Sequence, residues 1–288
     1  MINTRTIKLE LAGGETAASL SPNIRKEVQM KRRLASLMFL PVIVLPCLAQ
    51  EPAPKPETKA PETAVAEALP TLDHILDKNV EALGGKAAIE KITSRTMSGS
   101  FEIPEMGATG TVKGIAKAPN KSLIIIDVPS YGIIQLGCDG TTAWSNDPMG
   151  GLREITGSDL AAAKRDYNFS QALHYKELFA KLTVKSKEKV GDKTAYLVEA
   201  APAEGKAEKL YFDAATGLLL RHDMERDSGQ GPALTENYFD DYKDIDGVKV
   251  AFTTKRVTPA FSITTKITEI KTNVDIEDAK FAKPSGQQ

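Results

Sequence analysis

Two cysteines and three histidines in 288 residues leave little from which to build reactive chemistry. The histidines, His74, His174 and His222, lie far apart, and none has the paired spacing that zinc sites show. Cys47 falls in an apolar N-terminal stretch, so Cys138 stands alone in the body of the chain. A single cysteine forms no internal disulfide, and the compartment is not legible from cysteine usage. Its place at the end of an apolar run predicts a small buried hydrophobe. No GxSxG elbow, HExxH, GxxxxGK(S/T), CxxC or strand-borne GxGxxG occurs, which removes the usual signatures of hydrolase, metalloprotease, nucleotide and redox sites. Acids are plentiful, but none pairs with a second acid in the manner of a glycosidase. Residues 240–247, DDYKDIDG, resemble part of a calcium loop yet lack the downstream Glu, so they read as turn residues and no metal is expected. Residues 1–50 carry more Lys and Arg than Glu, leaving a mildly acidic body without a basic stripe; nucleic acid is excluded as a partner. No cofactor and no catalytic residues are predicted, and a hydrolase with His174 or His222 as base is the weakest of the readings.

What is present begins with residues 30–50, MKRRLASLMFLPVIVLPCLAQ. Lys31, Arg32 and Arg33 form a positive n-region, an apolar stretch follows, and small residues precede Gln50. The apolar run is shorter than the ~20 residues that a membrane-spanning helix needs. Residues 30–49 therefore read as a cleaved secretory signal, and 1–29 as an upstream extension of the reading frame; a retained signal would instead anchor the chain. Pro46 before Cys47 argues against a lipoprotein signal. Residues 50–69 are rich in Pro, Ala and Glu and cannot bury a core; they read as a linker.

The folded part is expected over residues 70–284. Thr71 is positioned to cap a helix whose Leu72, Ile75, Leu76, Val80 and Leu83 recur at steps of three and four, and Gly84-Gly85 ends it. From Ser94 onward the period switches to two. The organising stretch is 121–147, KSLIIIDVPSYGIIQLGCDGTTAWSND, three strands separated by Pro129-Ser130 and Asp139-Gly140. Its first two strands are apolar on both faces and must be covered twice or line something greasy. Met149-Gly150-Gly151 reads as a loop, Ser158 as the cap of a helix to Tyr167, and 170–182 as a second helix. Strands resume at Thr183 and continue, with hairpin signals at 213–217 and 246–247, to Ile270.

About eleven strands joined by short turns predict a mainly β (α+β) fold: an unclosed, strongly curved antiparallel barrel with helices as a lid over its concave face. Such a shape either packs solid or encloses a hollow for an apolar guest. The residues predicted to line that hollow are Phe101, Ile124, Ile126, Ile133, Trp144, Phe212, Leu218, Leu220 and Phe252 on strands, with Leu76, Val80 and Phe179 from the lid. A one-residue error in phase would turn a strand residue to the other face.

The segments EALGG, AKAPNKSLIIIDVP, GCDGTTAW, YFDAATGLLLRHD and DYKDIDGVKVAF together resemble the periplasmic lipoprotein-carrier (LolA-like) family, and most of all its branch of outer-membrane lipoprotein-sorting proteins. The resemblance implies a half-barrel whose hydrophobic cavity takes lipoprotein acyl chains or another lipid. It implies also an arginine that latches the lid, for which Arg95 and Arg153 are the candidates. The expected activity is that of a non-enzymatic, monomeric lipid binder or carrier of the cell envelope, located in the periplasm. The alternative is an envelope sensor or assembly module that binds a protein partner through the same scaffold.

Overall fold

The computed structural model describes residues 68–227 and 231–285. The expectations for residues 1–67, including the signal segment and nearly all of the linker, lie outside them. The described chain forms thirteen strands, two more than expected: β1 (Ser94–Ile103), β2 (Ala108–Lys117), β3 (Lys121–Val128), β4 (Gly132–Cys138), β5 (Ala143–Asp147), β6 (Gly151–Ile155), β7 (Lys181–Val190), β8 (Lys193–Ala201), β9 (Glu208–Asp213), β10 (Leu219–Asp227), β11 (Pro232–Ile245), β12 (Val248–Val257) and β13 (Ser262–Thr272). All belong to one antiparallel sheet of order β6-β5-β4-β3-β2-β1-β13-β12-β11-β10-β9-β8-β7. The sheet does not close, and the fold is the unclosed curved barrel that the pattern predicted. The stretch read as a loop at Met149-Gly150-Gly151 is a tight turn into β6, whose five residues were too few to show a period.

Among the described residues four α-helices accompany the sheet: α1 (Leu72–Ala82), α2 (Lys86–Lys91), α3 (Gly157–Asp166) and α4 (Gln171–Leu178). The Thr71 side chain accepts from the His74 amide, as the capping pattern required. Thr156, not Ser158, precedes α3, without a side-chain cap. Helix α4 ends at Leu178, short of the expected 182, because Lys181 already enters β7.

Helices α1 and α4 bury one apolar cluster against β8 and β9: Ile75, Leu76, Tyr175 and Phe179 meet Val198, Ala200, Leu210 and Phe212. Helix α1 is also held by two hairpin turns. Asn79 Nδ2 donates to the Gly217 carbonyl and Lys78 Nζ to that of Ala214, both in the β9–β10 turn. At its other end the Lys249 amide donates to the Leu83 carbonyl, beside the two-residue turn Asp246-Gly247. Both turn residues have positive φ, 53° and 85°, as a twisted hairpin demands. Three of the segments that carried the family resemblance, EALGG, YFDAATGLLLRHD and DYKDIDGVKVAF, thus converge on one helix.

The outer face of β2, β3 and β5 is crossed by the chain after β13. Asp278 pairs with Lys117 at 2.8 Å and Lys121 at 2.6 Å, and Trp144 Nε1 donates to the Phe281 carbonyl. This strap answers the expectation that β3 be covered twice.

Gly84 has φ 119°, and a Cβ there would stand 2.0 Å from the Gly247 carbonyl oxygen. Gly191 has φ 63° with no neighbour near a Cβ. Gly84→Ala is expected to lower unfolding free energy by at least ~2 kcal/mol, and Gly191→Ala by only ~1 kcal/mol, in denaturant titrations.

Candidate functional site

The inner face of the sheet and α3 enclose an open cleft of about 930 Å³. One wall comes from consecutive cross-strand neighbours on β1 to β5: Met97 faces Gly114, Gly114 faces Ile124, Ile124 faces Leu136, and Leu136 faces Ser145. This wall is apolar, and Gly114 makes room for the Met97 side chain. The next row inward, Ala116, Ser122, Cys138 and Ala143, is small. Small residues let α3 lie close, with its Lys164 near enough to influence the Cys138 thiol. That thiol is fully buried, and burial raises its pKa above the ordinary value. It is the small buried hydrophobe expected.

The opposite wall is polar. His222, Asn237 and Arg256 stand opposite one another across β10, β11 and β12, with Arg226 further along β10. Behind them Glu208, 1 % exposed, gathers a buried network. Arg165 Nη2 lies 3.0 Å from its Oε1, His222 Nε2 lies 2.7 Å from its Oε2, and Arg226 Nη2 lies 3.3 Å from Oε1. Arg226 also holds Asp166 at 3.0 Å, so α3 is pinned to the sheet at its C-terminal end. Burial alone would raise the Glu208 pKa. The His222 hydrogen bond and the arginine charges overcome that and hold it down to about 2. Arg165 stacks on Phe179 at 5.6 Å, and its Nε is a buried donor without an acceptor among the described residues.

Arg95 and Arg153, the candidates for the latch, both line the cleft. Arg95 holds its guanidinium 5.0 Å from the centre of the Phe169 ring, in the loop between α3 and α4, whereas Arg153 pairs with Asp147 on its own hairpin. Of these two, Arg95 is the one that bridges sheet and helical segment.

Of the residues predicted as lining, Ile124 is in the cleft wall. Ile126 and Phe101 share the inner face with Ile124 and Met97 but lie beyond the cleft, Phe101 packed over Gly110. Phe252 is buried beneath the Lys243 ammonium, 4.5 Å from its ring centre. Leu76, Phe179 and Phe212 belong to the solid core under α1 and α4, with Val80 half-buried on the same helix as Leu76. Leu218 sits half-buried in the β9–β10 turn. Three strand residues were assigned the wrong face. Ile133 is 54 % exposed, since Ile134 pairs with Ile126 on the inner side. Trp144 faces the outer strap, since Ser145 faces in. Leu220 packs outward with Leu197 and Tyr211 because the register slips between Leu219 and Arg221.

The polar wall was missed in the sequence. Alternation marks one face of a strand as polar and so assigns it to solvent; here His222, Met224 and Arg226 alternate along β10 on the inner face. Asp240–Gly247, the fragment like a calcium loop, is the β11–β12 hairpin, with Asp244 Oδ1 accepting from the Gly247 amide. Among the described residues no three His, Cys, Asp or Glu side chains gather as a metal site.

No protein-family model and no curated protein matches the chain. Solved structures do. A DUF1329 family protein from Desulfovibrio piger superposes with a TM-score of 0.51 at 17 % identity, covering 73 % of this chain and 96 % of that one. A LolA superfamily protein from Nitrosomonas europaea gives 0.51 at 13 % identity, covering 75 % and 99 %. The fold is LolA-like. Among the described residues no helix is long and apolar enough to cross a membrane.

A buried carboxylate with a depressed pKa stabilises the fold above its unfolded pKa, near 4.5, and loses that contribution as pH falls toward about 2. Between those limits the denaturation midpoint of the wild type is expected to fall more steeply than that of Glu208→Gln. At neutral pH Glu208→Gln is expected to be ~3–5 kcal/mol less stable, because buried cations lose their counter-charge.

Proposed function

We propose that this chain is a non-enzymatic periplasmic binder and carrier of an acyl chain, belonging to a lipoprotein or to a free lipid. The carrying observation is the cleft itself: an apolar wall of Met97, Ile124 and Leu136, completed by Ile155 and by Phe169 from the helical segment, in a hollow of about 930 Å³. That volume lies near the upper end of the ~300–1,000 Å³ typical of small-molecule pockets. Burying a sixteen-carbon chain contributes about 10 kcal/mol at about 0.8 kcal/mol per CH₂, before ordering costs. The LolA superfamily protein of the same fold supports the reading. Ile124 would contact the chain directly, and Phe101, Ile126 and Phe252 would extend the apolar surface along the same sheet face. Residues 30–49 would export the chain, with 1–29 outside the mature protein and 50–69 as a tether to the 70–284 domain, which acts as a monomer. His222 is committed to Glu208, and His174 to the Ser170 carbonyl, which argues against either as a catalytic base.

The test is native mass spectrometry with lipid extraction on protein purified from a bacterial periplasm without detergent. A stoichiometric acylated species is expected, and it should vanish in Ile124→Glu while circular dichroism stays native. A protein that comes out empty and refuses added lipid would overturn the proposal and favour an envelope module that binds a protein partner.

A further inference from the structure

The cleft has two chemically distinct walls, and the polar one is not fully used by the protein. Along β10, the charge of Arg226 is answered by Asp166 and Glu208, and the His222 ring is bound by Glu208. Arg256 differs. Its Nε donates to Asn237 Oδ1 at 3.0 Å, which fixes the plane of the guanidinium. Among the described residues no carboxylate reaches ion-pairing distance of it, and neither Nη1 nor Nη2 has a protein acceptor. The Asn237 Nδ2 group, held beside it by the same bond, also lacks one among the described residues. Arg256 and Asn237 both line the cleft. The remaining lining charges do not cancel Arg256. Glu154 pairs with Lys283, and Arg153 with Asp147. Arg95 is a second cation without a carboxylate partner, against which the lining sets Asp159 as the acid without an ion pair among the described residues. The balance of unanswered charge is positive.

An arginine oriented through Nε presents its two amino groups as a fork that matches the two oxygens of a carboxylate or phosphate. We propose that the guest is an amphiphile with one anionic head group, carboxylate or phosphate, held by Arg256 and Asn237 while its chain runs along the Met97–Ile124–Leu136 wall. This rests on the acyl-binding reading above and adds the chemistry of the head. A chain with a neutral head would leave the fork unpaired in a partly desolvated cleft, so affinity should discriminate between heads at constant chain length.

The experiment is calorimetric titration of the purified protein, delipidated, with palmitate, hexadecyl phosphate and hexadecanol, below their micellar concentrations. Palmitate, hexadecyl phosphate or both are expected to bind at least about ten-fold more tightly than hexadecanol. Arg256→Gln, checked for native fold by circular dichroism, should erase that preference by weakening the two anions, with hexadecanol bound no more weakly than by wild type. Arg256→Lys, which keeps the charge but loses the fork, should retain part of it. Whichever of the two anions binds more tightly identifies the source, a fatty-acid or a phospholipid type of head. Equal affinity for all three amphiphiles, or a preference that survives Arg256→Gln, would overturn the head-group assignment and leave the acyl-binding reading intact. Binding of none of them would overturn both.

Discussion

The two edges of the sheet, β6 and β7, are consecutive in the chain yet lie at opposite ends of the strand order. Whatever joins them must cross the opening of the curved sheet, and the joining segment is the one that holds α3 and α4. The lid is thus a consequence of connectivity. A connection of this kind has to supply an apolar underside wherever it touches the sheet, and it does so unevenly. Helix α4 is sealed into a packed core on β8 and β9, while α3 rests on a row of small residues beside the cleft. One half of the inner face is therefore solid and the other hollow.

What keeps α3 in place is electrostatic as much as apolar. Arg165 and Asp166, adjacent at its end, engage Glu208 and Arg226 on β9 and β10. A buried ion pair contributes little net stability, since desolvation offsets most of the attraction, but breaking it by removing one partner is costly. Its effect is to fix position. The helix has one register in which both arginines and both acids are satisfied, and that register sets the mouth of the cleft. Arg95 makes a softer link, with its guanidinium stacked on Phe169 in the following loop.

The strands, the hairpin turns and the cap of α1 were legible in the sequence because each depends on local signals: alternation, Asp-Gly or Gly-Gly pairs, a Thr before an apolar period. Strand β6 was not, since five residues with the charged pair Arg153-Glu154 among them carry no period. The lining was legible only in part. The face on which Ile124 lies was legible because its strand runs without a bulge between paired neighbours. Leu220 was not, because one extra residue in β10 reverses the faces before it and no sequence pattern marks the slip. The charged wall had no local signature at all. An inward row of His, Asn and Arg reads from one strand like an outward one, and only the pairing of three strands reveals it.

Every pairing in the sheet joins strands consecutive in the chain except one, the seam where β1 meets β13. The protein is two meanders, β1 to β6 and β7 to β13, zipped together once. Nearly all of its pairing is local, and the entropy of closing a long loop falls on that single seam. Each meander has its own turns and its own apolar face to begin from, so the seam is the step that turns two ribbons into one cradle. A lesion in β1 or β13 would then act on the rate of assembly, while the same lesion at either free edge would act mainly on fraying.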